Sequence, residues 1–186
     1  MTADADAFRA SARDAALAAI GGMSRPALYS VLVDLTDSPS GPVPASLQFG
    51  FQELLTGWLF GERLRTCFVV VRLQPRAITV GAVGTYGREQ FKALRTIRGL
   101  EFPPPPLDLD HLRIGPLQVL DLIRAKPLPA ASQGLGDMRL SLCCHEAHLA
   151  WRALQEVPRV GFRTLLLDAR DAHVLFEKID DAVASE

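Results

Sequence analysis

The residues with the most chemical potential lie in one short run, Cys143-Cys144-His145-Glu146-Ala147-His148. Thiolate, imidazole and carboxylate donors can hold zinc, because a borderline-soft metal favours sulfur and nitrogen. They can also form a Cys/His nucleophile, because a thiol needs a base to ionise it. The spacing suits neither chemistry. On an extended strand Cys143 and Cys144 point to opposite faces, and so do His145 and His148, so the four donors do not converge unless the chain turns sharply. Cys67 and His173 could join them only through tertiary proximity. The expectation is small buried cysteines and solvent-facing imidazoles at a strand end, with a metal site or Cys/His enzyme centre on Cys143, Cys144, His145 and His148 as the alternative.

Acidic pairs offer less. Asp34 and Asp37, Asp108 and Asp110, and Asp168 and Asp171 fall where strands are expected to meet turns, where aspartate bends and caps the chain. No GxSxG, P-loop, dinucleotide glycine motif or HExxH occurs in the sequence, so no catalytic residue and no cofactor is expected. Arg88, Lys92 and Arg95, with Arg98 beyond them, form a basic stripe on a helix expected over 87–97. That stripe is either a solvated face or an anion-binding surface.

The elements that must position these residues belong to an ordinary globular chain. Of its 186 residues 48% are apolar and 22% charged, with a formal net charge of −1. A chain of this length buries roughly 70% of its unfolded surface, so it needs no disulfide or structural metal, and three cysteines are too few for a disulfide framework. Near-neutral charge argues against a dedicated nucleic-acid binder. Asp4, Asp6, Arg9, Arg13 and Asp14 interrupt the N-terminal run, which does not read as a secretory signal. No stretch approaches the roughly 18 charge-poor residues of a membrane span. The expectation is a cytoplasmic protein without a membrane span.

Phe8, Ala12, Ala16 and Ile20 recur at a spacing of four, which predicts a helix over 4–20 capped by Thr2 or Asp4 and stopped at Gly21. Strands are predicted over 28–35, around Leu47, Phe49 and Phe51, over 66–73 and over 77–83. Pro103 to Pro106 make a stiff, donor-poor connector. A second helix is predicted over 115–125 with Pro116 in its first turn. Strands then follow over 138–144, 162–168 and 173–176. The segment 147–157 fits a strand through Leu149, Trp151 and Ala153, and fits a helix through Leu149, Ala150, Ala153, Leu154 and Val157.

With 147–157 taken as a strand, the halves resemble one another. Leu47-Gln48-Phe49 matches Leu149-Ala150-Trp151, and Arg65-Thr66 matches Arg163-Thr164, giving an internal repeat of about one hundred residues. The second half resembles the PepSY domain family through the Leu107-Asp108-Leu109-Asp110 lead-in, the 115–125 helix, the Trp151 strand and a terminal hairpin from Leu165 to Leu175. In that hairpin Asp168, Ala169 and Val174 fit the family's pattern, while Ala172 stands where its glycine usually lies. The resemblance implies a helix packed on an antiparallel sheet, in a family of binding and inhibitory modules without catalytic residues.

The fold expected is α+β, with two tandem helix-plus-antiparallel-sheet units: a first unit at 1–100, a Pro-rich linker at 101–113 and a PepSY-like unit at 114–186. The function expected is a non-enzymatic binding or regulatory module for another protein.

Overall fold

The computed structural model describes residues 3–39, 41–57, 61–87, 90, 105–126 and 137–181. Helix α1 (Ala3–Ala19) is followed by β1 (Ala27–Thr36), β2 (Val43–Gly57), β3 (Gly61–Leu73), β4 (Arg76–Val80) and β5 (Gly84–Gly87). After a short 3-10 turn at Leu109–His111 come helix α2 (Pro116–Ala125) and strands β6 (Met138–His145), β7 (His148–Val157), β8 (Gly161–Asp168) and β9 (Val174–Asp181). Among the described residues the protein is α+β, with nine strands in one antiparallel sheet. Its order is β4-β3-β2-β1-β6-β7-β8-β9, and β5 also pairs with β3. The segment that the pattern left open, 147–157, is a strand: His148–Val157 pairs with both β6 and β8. The basic stripe Arg88, Lys92, Arg95 and Arg98 and its expected helix lie outside the described residues, apart from Gly87, which ends β5, and Gln90. So do residues 101–104 of the expected linker.

Side-chain alternation explains the sheet. Val31 and Val33, Leu47, Phe49 and Phe51, Val69 and Val71, Leu140 and Leu142, Trp151 and Ala153, and Leu165 and Leu167 all belong to one buried cluster. Each set repeats every second residue, so each lies on one face of its strand. Both described helices contribute to that cluster, α1 through Phe8, Ala12, Ala15 and Ala19 and α2 through Val119, Leu120 and Ile123. The alanines of α1 allow close approach to the sheet, where α1 packs on β2, β3 and β4.

Phe8 sits at the middle of this layer. Its ring lies 5.7 Å from Phe49 of β2 and 5.4 Å, edge-on, from Trp151 of β7. Phe49 and Trp151, the aromatics aligned in the sequence, are both fully buried, and both rings meet the same residue of α1. The indole Nε1 of Trp151 donates to the carbonyl of Ile114 at 2.9 Å. That bond removes the cost of burying a polar N–H.

Between Leu107 and Ile114 the chain is bonded to the sheet at both ends. Leu107 N donates to Leu28 O at 2.7 Å, and the amides of Arg113 and Ile114 donate to Ala169 O at 2.9 and 3.2 Å. Helix α2 differs from expectation in its neighbours. It packs against β2 and α1, and Arg124 near its C-terminus donates to the carbonyl of Pro42 in the β1–β2 turn. Asp4 also differs. It lies within the first turn of α1 rather than capping it, and it serves α2 instead. Gly115 at the α2 N-cap has no side chain with which to cap, and Asp4 Oδ2 accepts from Gln118 N at 3.1 Å. A Cβ on Gly115 would lie 2.3 Å from that oxygen, so the cap requires the space that glycine leaves.

Burial pushes the Asp4 carboxyl up, and the amides of Gln118 and Leu117 pull it down without cancelling that rise. A raised folded-state pKa means that the ionised form is penalised in the native protein. The penalty is absent below the unfolded value of about 4 and complete above the folded value. Asp4→Asn keeps an acceptor and removes the charge. Its urea midpoint is expected to exceed the parent's near about pH 7 and to converge with it near about pH 3. Trp151→Ala is expected to cost about 3–5 kcal/mol in urea unfolding followed by circular dichroism. A loss below about 1 kcal/mol would mean that the Phe8 contact does not organise the core.

Candidate functional site

The sharp turn that the donor run required is present. Glu146 and Ala147 carry φ of 46° and 67° and join β6 to β7 in a two-residue hairpin, with His145 opposite His148. Cross-strand partners share a face, so the placement of these two histidines on opposite faces is corrected. Cys143 pairs with Ala150, which pairs with Asp168. Cys143, His145, His148 and Asp168 therefore stand on the face opposite the helices, and Cys144 on the other. Cys144 is exposed and Cys143 partly buried, so the expected burial of these strand-end cysteines is corrected; Cys67 is buried.

Asp168 organises this end of the sheet. It is 3% exposed, and its Oδ2 lies 3.0 Å from His148 Nδ1. Its Oδ1 accepts from Arg170 N at 2.7 Å, bending the chain out of β8. Asp171 repeats the device, accepting from His173 N at 3.0 Å with the His173 ring nitrogen at 2.7 Å. These bonds from His173, backbone first, hold the Asp171 carboxyl below its usual range. The turn-forming role expected for Asp168 and Asp171 thus has a direct geometric basis.

Two chemistries can be weighed here. A carboxylate on one histidine nitrogen orients the ring and leaves the other nitrogen available, which is how a catalytic or metal-binding histidine is held. The thiol does not complete a catalytic set. Burial pushes the Cys143 thiol up, with Arg152 acting against the rise and Cys144 adding to it, so the nucleophilic thiolate is disfavoured. Among the described residues, the donors whose ligand atoms all lie within 4.8 Å of one another are Asp168, Asp171 and His173. The quartet Cys143, Cys144, His145 and His148 does not form such a group. Each side chain of the Asp168 group also has a backbone or ring partner within the turn, so the cluster is complete as a turn.

A groove of about 610 Å³ runs between α1, α2 and the ends of β1 to β3, lined by Phe8, Leu47, Leu73, Val43, Pro44 and Leu117 among others. Its charged members and Ser11 are engaged elsewhere. Asp4 caps α2, Ser11 donates to Ala7 O at 3.1 Å, and Arg76 pairs with Asp14. The groove is apolar, without convergent polar groups. No feature of the sequence pointed to it, because Val43 and Leu117 are far apart in the chain and meet only through packing.

Ala172 adopts a φ of 65°, a conformation that costs a side-chain-bearing residue about 1 kcal/mol. Ala172→Gly is expected to raise unfolding free energy by about that amount. Equal or lower stability in thermal and urea unfolding would show that the turn does not hold this backbone. No family model, curated protein or solved structure matches this chain.

Proposed function

We propose that the chain is a non-enzymatic binding module for another protein, acting by occupancy as a regulatory or inhibitory partner. The observation that carries this reading is the unevenness of the sheet. Both described helices pack on one face, while Leu32, Phe68 and Phe176 on the other remain 38–41% exposed. Tyr29 lies across Gly50, its ring 6.4 Å from that of Phe68, so aromatic surface is presented rather than hidden. Such surface marks contact with other macromolecules more often than catalysis. The raised Cys143 thiol and the self-satisfied Asp168 turn support the same reading against a Cys/His enzyme.

We further infer two tandem helix-plus-sheet units, the second resembling a PepSY domain. In support, a helix is followed by a four-stranded meander twice, α1 with β1 to β4 and α2 with β6 to β9. The matched residues also hold the same register, Glu53 opposite Arg65 and Gln155 opposite Arg163. The left-handed φ of Ala172 lies where the PepSY pattern has glycine.

The test compares two variants by quantitative co-purification from the native host, with thermal unfolding as a control for folding. Leu32→Glu with Phe68→Glu is expected to lose the proteins that accompany the parent. Replacing Cys143 and Cys144 by serine and His145 and His148 by alanine is expected to retain them. A stoichiometric metal in the parent, lost in the second variant, would move the protein to the metal-site class.

A further inference from the structure

The two ends of the sheet are unlike. At one end β9 carries Glu177, Lys178, Asp180 and Asp181 in its sequence, and charges of this kind discourage another strand from pairing. At the other end β4 reads Arg76-Ala77-Ile78-Thr79-Val80, exposed at every position. Its one charge is at the start, where Arg76 pairs with Asp14 of α1. Nothing in Ala77 to Val80 blunts the edge.

The hydrogen-bond phase of β4 shows which groups are free. Gly81 N donates to Phe68 O at 2.7 Å, so the pair continuing the β3–β4 register is a hydrogen-bonded one. Alternation in an antiparallel ladder then turns the backbone of Ala77 and Thr79 towards β3 and that of Ile78 and Val80 away from it. No described strand pairs on that open side. The side chains of Ile78 and Val80 oppose Val71 and Val69, which places them on the helix-bearing face, where they are 43% and 47% exposed.

The last turns of α1 run beside this edge. Asp14 meets Arg76, and eight residues on, Gly22 admits Val83 so closely that a Cβ there would lie 2.8 Å from its methyl group. Leu17 and Ile20 between those contacts are exposed, as is Val83. Among the described residues this outward ladder is unpaired, with an apolar shelf of Ile78, Val80 and Val83 exposed beside it.

Resting on the protein-binding reading above, we propose that β4 is a strand-addition site for an extended segment of a partner protein. The ladder selects the occupant, because outward N–H and C=O groups on alternate residues are satisfied by another extended backbone. A helix or a small ligand does not present them in that repeat. The shelf selects its side chains: apolar residues on the alternate positions that continue the row of Ile78 and Val80 on the helix-bearing face. A second copy of this chain meets the ladder equally but brings its own α1 to the same side.

The probe is a soluble peptide of roughly eight residues alternating valine and threonine between terminal lysines, long enough for one strand. Binding is read by fluorescence anisotropy and by amide hydrogen exchange of the full chain. The peptide is expected to slow exchange at 76–83 and not at 174–181. Ile78→Pro with Val80→Pro removes outward N–H groups only, so the β3 ladder survives, and binding is expected to weaken roughly tenfold or more. Ile78→Lys with Val80→Lys, which leaves the backbone intact, is expected to do the same through the shelf.

Failure of the peptide to bind, or protection at β9 or on the open face instead, overturns the assignment. So does a concentration-dependent dimer of the parent that protects 76–83. If co-purifying proteins survive the β4 variants but are lost on Leu32→Glu with Phe68→Glu, the strand-addition site falls while the protein-binding reading stands. A parent that loses a stoichiometric metal with Cys143, Cys144, His145 and His148 removes the reading itself.

Discussion

One aromatic side chain ties the two halves of the core together. Phe8 touches Phe49 of β2 and Trp151 of β7, strands separated in the sheet by β1 and β6. A single aromatic reaching both sets the height of α1 above the sheet. That height in turn decides where Asp4 can meet the amides of α2. The two helices are therefore not independent lids on separate sheets. They are coupled through one ring and one carboxylate, both on the first eight residues of the chain, and the continuous sheet beneath them shares their buried cluster.

The matched cross-strand pairs show how one geometry carries different electrostatics. Glu53 accepts from the amides of Ser24 and Arg25 at 3.0 and 2.8 Å and pairs with Arg65 at 3.5 Å. Its carboxylate anchors the chain leaving α1. The corresponding position in β7 is Gln155, which is neutral, so Arg163 opposite it finds its counter-charge elsewhere. Arg163 Nε donates to Glu177 of β9 at 2.8 Å, and Lys126 reaches the same carboxylate at 3.1 Å. Burial alone would raise the Glu177 carboxyl, but the hydrogen bonds from Arg163 and Lys126 outweigh it and hold the group below its usual range. An ion pair that lies within a hairpin in one half is thus moved outward by one strand in the other.

Strands were legible wherever β-branched and aromatic residues alternate, as in 28–35 and 66–73, because a half-buried strand needs that period. The run Leu149 to Val157 was not, since its apolar residues satisfy both periods and only pairing on two sides decides between them. Strand β9 reaches Asp181 rather than stopping near Phe176 because its outer half is held by the β8 ladder while its composition reads as a charged loop. The Glu146-Ala147 turn was hidden for a related reason: neither residue advertises the left-handed backbone that it adopts. That one turn decides which donors share a face, so the candidate site was less legible than the fold. The capping of α2 by Asp4 spans 114 positions, and no local pattern encodes it.

The seam between β1 and β6 has a kinetic meaning. Its register runs only from Val31 opposite Leu142 to Val33 opposite Leu140, whereas β2 and β3 are matched without a break from Ser46 to Gly57. Closing that short seam requires bringing together segments about a hundred residues apart, and loop-closure entropy must be met before the few pairs reward it. The hairpins on either side face no such delay. Loop closure alone thus places the seam late in the assembly of the sheet, so that its three pairs depend on the buried cluster above them.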